Sequence, residues 1–581
     1  MRRRKKPIAL QLTIDLVLLC LVGGLIYALM AAGRPVAAEP EHLALELRHL
    51  PAYAVRSLTR MIVAYIISLL FSLSYGYVAA TYPAAGRIMI PLLDVLQSVP
   101  VLGFFPAAVY FFVQLFRGSI LGVELASIFL IFTGQAWNMT FGVYESLTTI
   151  PKDLVQALQA LGVKGMLAFK RLHLPATVSK LIYNSMLSWA GGWYFLIACE
   201  IISFGPVHHT LPGLGSFLIK SAEQGHLGLT LAGLLVLVTV IVLLNALVWA
   251  PLLVWGDKYK YEFTAYGARP QSTVLRLLED SYLVPRVLRL GRWVQARVVA
   301  ALEAAQERAR AAAPRPERRR MEGVPRNARL AMSRIGWIGF AGIALIGVWK
   351  LALTLVPLLR GPWPSEVKLL PLALGASALR LAVAYVISIA WTLPVAVWVG
   401  LNERAEAVLM PVAQVLASVP ATALFPVIVA IMLNTSGGIE VASVLLVLTG
   451  MQWYILFNLV AGVKAIPGDL LAAARAFQVK GKLFFQKVLL PGMFPSLVTG
   501  SITGWGGGWN ALIVSEYVVY GGKAYKAFGI GSMLDVATYE TGNLQVMWFS
   551  LLSMVLFITV MNRLVWRPLY QHASRRYKIE Y

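Results

Sequence analysis

Charge is what this sequence has least of: Asp, Glu, Lys and Arg make up 13% of it, against about 25% in an ordinary soluble domain. So few charges cannot clothe a chain whose hydrophobic residues reach 58%, which excludes a soluble globular fold. Cysteine is nearly absent too. Its two copies, Cys20 and Cys199, lie inside apolar runs and suit neither a disulfide framework nor a metal-ligand spacing. No H-E-x-x-H, G-x-S-x-G or G-x-x-x-x-G-K-[ST] occurs, so the metal, nucleophile and phosphate-cradling chemistries those spacings serve are missing. The tandem pair His208-His209 reads as surface histidines, since neighbours in sequence do not share a helix face. No enzyme class is left with a catalytic cluster.

What is present is long apolar runs. Ile8–Met30, Met61–Ala80 and Leu227–Trp255 each reach the roughly 20 residues that cross a hydrocarbon layer. Backbone groups in lipid must be paired internally, and the runs lack the alternation of barrel strands, so they are helices. The predicted spans are 8–32, 57–81, 88–115, 119–145, 178–203 and 227–255, then 335–357, 377–400, 406–433, 438–463, 494–519 and 544–568. Between Asp257 and Arg334, 17 Lys or Arg stand against 8 acidic residues, a concentrated share of the net charge of +24. A basic excess beside spans marks the cytoplasmic side. No nucleic-acid recognition fold accompanies it, so nucleic acid is set aside as a partner and the segment reads as a solvated spacer on anionic lipid. The basic start Met1–Lys6 precedes an apolar run about twice the length of a signal-peptide core, which makes it a retained span. Six spans return the chain to the side it started from. Both termini and the linker are therefore expected in the cytoplasm, although Arg48, Arg56 and Arg60 fall on the predicted outer side.

The spans repeat. Ser57–Ser68 matches Ser377–Ser388 and Gln97-Ser-Val-Pro100 matches Ala417-Ser-Val-Pro420, at an offset of 320 residues. After Phe116 the offset is 316: Glu124 pairs with Glu440, Ile150-Pro151 with Ile466-Pro467, Leu174-Pro175 with Leu490-Pro491, Gly191-Gly-Trp193 with Gly507-Gly-Trp509, and Glu200 with Glu516. The chain therefore divides into a first unit, 1–256 (core 57–256), a basic linker, 257–334, and a second unit, 335–581 (core 377–570). An even number of spans per unit makes the repeats parallel, with a pseudo-twofold axis along the membrane normal. The expected fold is all-α, two six-helix units, about 12 transmembrane helices in all.

Between the fourth and fifth span of each unit lies a polar segment too patterned to be slack. It runs Ile150-Pro-Lys-Asp-Leu-Val-Gln-Ala-Leu-Gln-Ala-Leu-Gly-Val-Lys-Gly and on to Leu174-Pro175, and again from Ile466-Pro467 to Leu490-Pro491. Pro151 and Pro467 suit a first helical turn, and the glycine-containing centre breaks that helix. A short helix, a turn and a second amphipathic helix are expected. The segment resembles the E-A-A, three residues, Gly, nine residues, Ile-x-Leu-Pro signature of ABC importer permeases of type I. The first copy reads Gln156-Ala157-Leu158, Gly162 and Leu172-x-Leu174-Pro175, and the second Ala472-Ala473-Ala474, Gln478 and Val488-x-Leu490-Pro491. Both depart from the Glu, and the second also from the Gly. The flanking Ile-Pro and the run Gly508 to Glu516 resemble the nitrate, sulfonate and taurine branch, in its fused, duplicated form. The resemblance covers everything except the linker. It implies two ATPase subunits or domains docking on the two segments, with ATP and Mg on those partners and no cofactor on this chain. It also implies an extracytoplasmic binding protein that delivers a small anion of the nitrate, sulfonate, taurine or bicarbonate type, and a prokaryotic plasma membrane. The competing class is an ion-coupled secondary carrier, which also uses parallel repeats.

Glycine reaches positive φ freely, whereas Gln there costs about 1–2 kcal/mol. The second segment is therefore expected to move its turn from Gln478 to Gly481, in the shared Lys164-Gly165 and Lys480-Gly481 pairs. For a pathway, polar and aromatic residues within spans are the candidates: Gln135, Trp137 and Asn138 with Gln452 and Trp453, and the small-residue clusters around Trp189 and Trp193, and around Trp505, Trp509 and Asn510. Packing between closely approaching helices is the competing role of those clusters. An anion route lined by carboxylates is unfavourable, so Glu200 and Glu516 are assigned structural hydrogen bonds or a contact with the binding protein.

Overall fold

The computed structural model describes residues 44–98, 101, 108–109, 111–112, 115–116, 119–163, 165–204, 207–259, single positions between 280 and 297, 361–432, 435 and 438–576. Predicted spans 8–32 and 335–357, Cys20, Lys164 and nearly all of the linker lie outside them. The first unit comprises α1 (Leu50–Thr81), α2 (Pro83–Ser98), α3 (Ile120–Thr148), the short α4 (Lys152–Ala160), α5 (Leu174–Cys199), strands β1 (Ile201–Phe204) and β2 (Val207–Thr210), α6 (Leu214–Glu223) and α7 (Leu227–Leu244). The second repeats the order: α8 (Leu370–Leu401), α9 (Glu403–Ser418), α10 (Ala421–Met432), α11 (Gly438–Lys464), α12 (Gly468–Ala476), α13 (Leu490–Ser515), β3 (Tyr517–Tyr520), β4 (Lys523–Lys526), α14 (Ile530–Asp535) and α15 (Leu544–Met561). Among the described residues, six helices are long and apolar enough to cross a membrane.

These helices are inside out relative to a soluble bundle. On α1 the buried stripe is Ser57, Arg60, Ala64, Ser68, Ser72 and Gly76, at helical spacing, while Ile62, Ile66, Ile67 and Leu70 are exposed. Lipid accepts the apolar face at no cost, so the small and polar residues carry helix contact. Ser72 Oγ donates to the Ala136 carbonyl at 3.1 Å and Thr140 Oγ1 to Ser72 Oγ at 3.0 Å, tying α1 to α3. A Cβ added at Gly76 would sit 2.7 Å from Val143 Cγ1. One buried cluster joins Leu130, Phe195 and Cys199 of the first unit to Leu381, Trp509 and Met547 of the second, so the two units share a core.

Three expectations change. Predicted span 406–433 is two helices, α9 and α10, meeting at 84°. Pro420 has no amide hydrogen to continue the ladder and holds Val419 out of the helical region, at φ −74°, ψ 117°. The spans predicted to end at 203 and 519 stop at Cys199 and Ser515. An antiparallel hairpin follows each, β1 with β2 and β3 with β4, which adds two small sheets to the all-α architecture; His208 and His209 lie on β2. Finally, Leu174-Pro175 and Leu490-Pro491 do not end a separate helix. Helical residues Gly165–Ala168 lead through a π turn, Phe169–His173, directly into α5, and Gly481–Phe484 through Phe485–Leu489 into α13. The wider π ring, with Leu174 N–H donating to the Phe169 carbonyl, shifts the hydrogen-bond register where the proline lacks its donor.

Candidate functional site

Each unit carries an elbow at the start of its fifth span. Helix α12 ends with Gln478 N–H donating to the Arg475 carbonyl at 3.0 Å and Val479 N–H to the Ala474 carbonyl at 2.9 Å. That pair of bonds closes a helix through a left-handed residue, and Gln478 supplies it, at φ 53°. The expectation that the turn moves away from Gln478 is thus overturned. Gly481 also has positive φ, at 59°, but it adds a second turn and does not replace the first. Two backbone hydrogen bonds, each worth about 1 kcal/mol, offset the strain. In the first unit Gly162 occupies the same place at φ 66°, with Val163 N–H donating to the Leu158 carbonyl at 3.1 Å. Gln156, Ala157, Ala472, Ala473, Gln478 and Lys480 are exposed, Ala474 is buried, and Leu158, Leu174, Pro175, Leu490 and Pro491 are half-buried beneath them. The most exposed apolar residues at the tips are ones the sequence reading passed over: Leu161, 75% exposed, and its equivalent Phe477, 81% exposed. Their equal position in the repeat was the available signal.

At the far end of α5 sits a buried ionic brace. Glu200 Oε1 accepts from Ser57 Oγ at 2.5 Å and Arg60 Nη1 at 2.8 Å, and Oε2 from Gly215 N–H at 2.7 Å and Ser216 N–H at 3.3 Å. Arg60 also grips Glu124 with two 2.7 Å bonds. The second unit repeats it: Glu516 accepts from Ser377 at 2.6 Å, Arg380 at 2.7 Å and Gly531 N–H at 2.8 Å, and Arg380 holds Glu440 bidentately. Glu200 and Glu516 are wholly buried, so both make structural hydrogen bonds. Arg60 is thus the counter-ion of Glu200, as Arg380 is of Glu516, and no loop charge. Because the carboxylate meets the first amides of α6 and α14, it also complements those helix starts. Gly213 and Gly529 make room for it: a Cβ there would lie 2.2 Å and 2.1 Å from carboxylate oxygens.

Between elbow and brace, α5 and α13 line a cavity of about 320 Å³ shared by the two units. Of the pathway candidates, Asn138, Trp189, Trp193, Trp453 and Asn510 line it. The others are placed elsewhere. Gln135 is buried beside Ser68 and Met61, and Trp137 packs edge-on against Phe71. Gln452 accepts from Trp391 Nε1 at 3.1 Å. Trp505 packs against Tyr385 and Trp566, and Trp509 against Phe557. The break at Val419-Pro420 opens onto the cavity, as do Tyr194 and Tyr454, each the immediate sequence neighbour of a candidate, Trp193 and Trp453.

Paired units of this kind, with spans joined by surface elbows around a shared cavity, define a multi-pass membrane permease. The profile of the binding-protein-dependent transport system inner membrane component family matches twice, over residues 55–250 and 388–566. The chain belongs to that family. Among curated proteins it is similar to the bicarbonate transport system permease protein CmpB of Synechococcus elongatus, 31% identical over 147 residues, which are 25% of this chain and 51% of that one. It is also similar to the nitrate import permease protein NrtB of Leptolyngbya laminosa, 27% identical over 33% of this chain and 65% of the relative. The taurine transport system permease protein TauC of Escherichia coli is 27% identical over 31% and 70%. The match thus spans about half the length of the bicarbonate relative and two thirds of the nitrate one.

Proposed function

We propose that this chain forms, in one copy, the whole membrane pathway of an ATP-driven importer of small anions. Two ATPase subunits or domains dock on the elbows and carry the ATP and Mg, and an extracytoplasmic binding protein delivers the solute at the hairpin end. The protein sits in a prokaryotic plasma membrane with both termini cytoplasmic. One observation carries this reading: the second arm of each elbow, Gly165–Ala168 or Gly481–Phe484, is continuous through its π turn with the helix that walls the cavity and ends in the brace. A push on that arm is therefore delivered to the cavity wall along one continuous helix. The exposed Leu161 and Phe477 tips suit a groove on a partner. An ion-coupled carrier would place ionisable side chains at its broken helix, whereas no described residue lining the cavity is acidic or basic.

The test is reconstitution of the chain with its ATPase and binding protein in liposomes. Uptake that requires both partners and ATP is the expected result. Uptake driven by an ion gradient without ATP would overturn the assignment.

A further inference from the structure

The two units differ where the first long helix of each passes its elbow. In the first unit Tyr77 of α1 packs edge-on against Phe169 of the π turn, with ring centroids 5.1 Å apart, and lies 5.5 Å from the His173 ring. The equivalent trio in the second unit is Val397, Phe485 and Leu489. The ring that fills this place in the first unit is missing from the second, and there a groove of about 450 Å³ runs between α8 and the π turn. Leu393, Val397, Trp398, Leu401 and Phe485 line it, with Asn402.

The groove opens on the apolar face of α8, where Trp398 is 56% exposed, at the end of the span that meets α9. Atoms lining an empty gap lose their dispersion partners, and beside a membrane span the material that fills an apolar gap is an acyl chain. Apolar filling alone would not select one lipid over another, since the tails are as apolar as leucine. Charge at the mouth does. Lys482 lies one turn before Phe485 on the same helical arm, and Arg404 stands in the first turn of α9, two residues beyond Asn402. Both are exposed, as is Lys487. Of the acids at that end of α9, Glu406 is engaged by Lys464 at 2.5 Å, which leaves Glu403 against these three cations. The first unit has Met166 in place of Lys482 and Ala84 in place of Arg404, so the unit that lacks the ring is also the one that gains the two cations. A basic pocket between helices at this level of a membrane suits an anionic lipid head.

We propose that this groove holds one anionic phospholipid, with an acyl chain in the place that Tyr77 occupies in the first unit and its phosphate on Lys482 and Arg404. The lipid then bridges α8 and the arm of the second elbow, as the Tyr77 ring bridges α1 and the first. The inference goes beyond the transport reading and is tested without it. Native mass spectrometry of the full chain, titrated in detergent with phosphatidylglycerol or with phosphatidylcholine of equal chain length, counts the lipids retained. One phosphatidylglycerol is expected to be held at least about fivefold more tightly than phosphatidylcholine, the worth of one well-placed cation at a membrane surface. Val397→Tyr installs the first unit's own ring and should empty the site. The pair Lys482→Met and Arg404→Ala, again the first unit's residues, should remove the preference for the anionic head while a chain still binds. Leu235→Phe, on the exposed face of α7, should change neither result. Thermal melting confirms that each variant is folded, and Val397→Phe stands in for a tyrosine variant that is not. Equal retention of the two lipids by the native chain, no lipid held beyond a statistical spread of loosely attached ones, a site undiminished by the ring at position 397, or a preference that survives loss of both cations would overturn the proposal.

Discussion

At the scale of single residues, the two units solve one problem with different side chains. Gly162 and Gln478 both close an elbow in the left-handed region, and only the glycine does so without a Cβ penalty. Gln478→Gly should therefore stabilise the second elbow by up to about 1 kcal/mol, seen as slower amide exchange over α12, with coupling retained. Gly162→Val should strain the first by more than that, because a β-branched residue is a poorer fit to positive φ, and should depress substrate-stimulated ATP hydrolysis in complexes that still assemble. The braces make a second residue-level case. Removing one partner of a buried ion pair costs about 3–5 kcal/mol, so Glu200→Ala should lower the melting temperature sharply. Glu200→Gln keeps an acceptor for Ser57 and the α6 amides and should cost less. Equal losses would show that the charge on Glu200, and not its capacity to accept hydrogen bonds, carries the brace.

Elements show how the units hold one another. The turn of the β3–β4 hairpin is Gly521-Gly522, at φ 59° and 73°, the two-residue geometry that suits the right-handed strand twist. It reaches across to the first unit, where Gly521 N–H donates to the Ala222 carbonyl at 3.1 Å and Gly522 N–H to the Glu223 carbonyl at 2.6 Å, capping α6 with backbone from the other half. Gly521→Val strains that turn, and hydrogen exchange should quicken at the end of α6 as well as in the hairpin; a change confined to the hairpin would mean that the cross-unit cap carries little. Beside it, Lys526 Nζ binds Glu540 at 2.7 Å and Tyr517 donates to the same carboxylate. The Lys526 hydrogen bond, first, holds the Glu540 carboxyl below its ordinary range. A depressed carboxyl stabilises the fold above its unfolded pKa and loses that contribution as pH falls through the folded one. The hairpin end should loosen on acidification below the usual carboxylate range, and Lys526→Met should weaken that pH dependence, leaving what the Tyr517 hydrogen bond supplies.

For the whole molecule, the proposed function with its two elbows predicts one permease chain and two ATPase domains per complex, to be read from native mass spectrometry; two permease chains would overturn the single-chain pathway. Cysteines placed at Arg310 and Ser574 should escape a membrane-impermeant thiol reagent in intact cells. Labelling of either would reverse the predicted orientation. Much of this scale was legible beforehand. Matches such as Ser57-Ser377, Glu124-Glu440 and Glu200-Glu516 recur at constant offset, and the elbows lie where Ile-Pro and Leu-Pro bracket them. The braces were half legible: the same matched residues were visible as pairs, but nothing in one dimension says that Arg60 turns inward.

The sequence by itself determined that this is a duplicated helical membrane protein, because hydrophobic length and repeat offset are one-dimensional quantities that lipid thickness and backbone pairing convert directly into spans. Only the tertiary structure decided what the polar residues do. Trp193 and Trp509 occupy equivalent places, yet the first lines the cavity and the second is sealed against Phe557. Gln478 keeps a left-handed conformation that local propensity argues against, because closing the helix returns two hydrogen bonds. Such choices depend on which atoms meet across helices distant in sequence, and packing geometry, unlike hydrophobicity, is not additive along the chain.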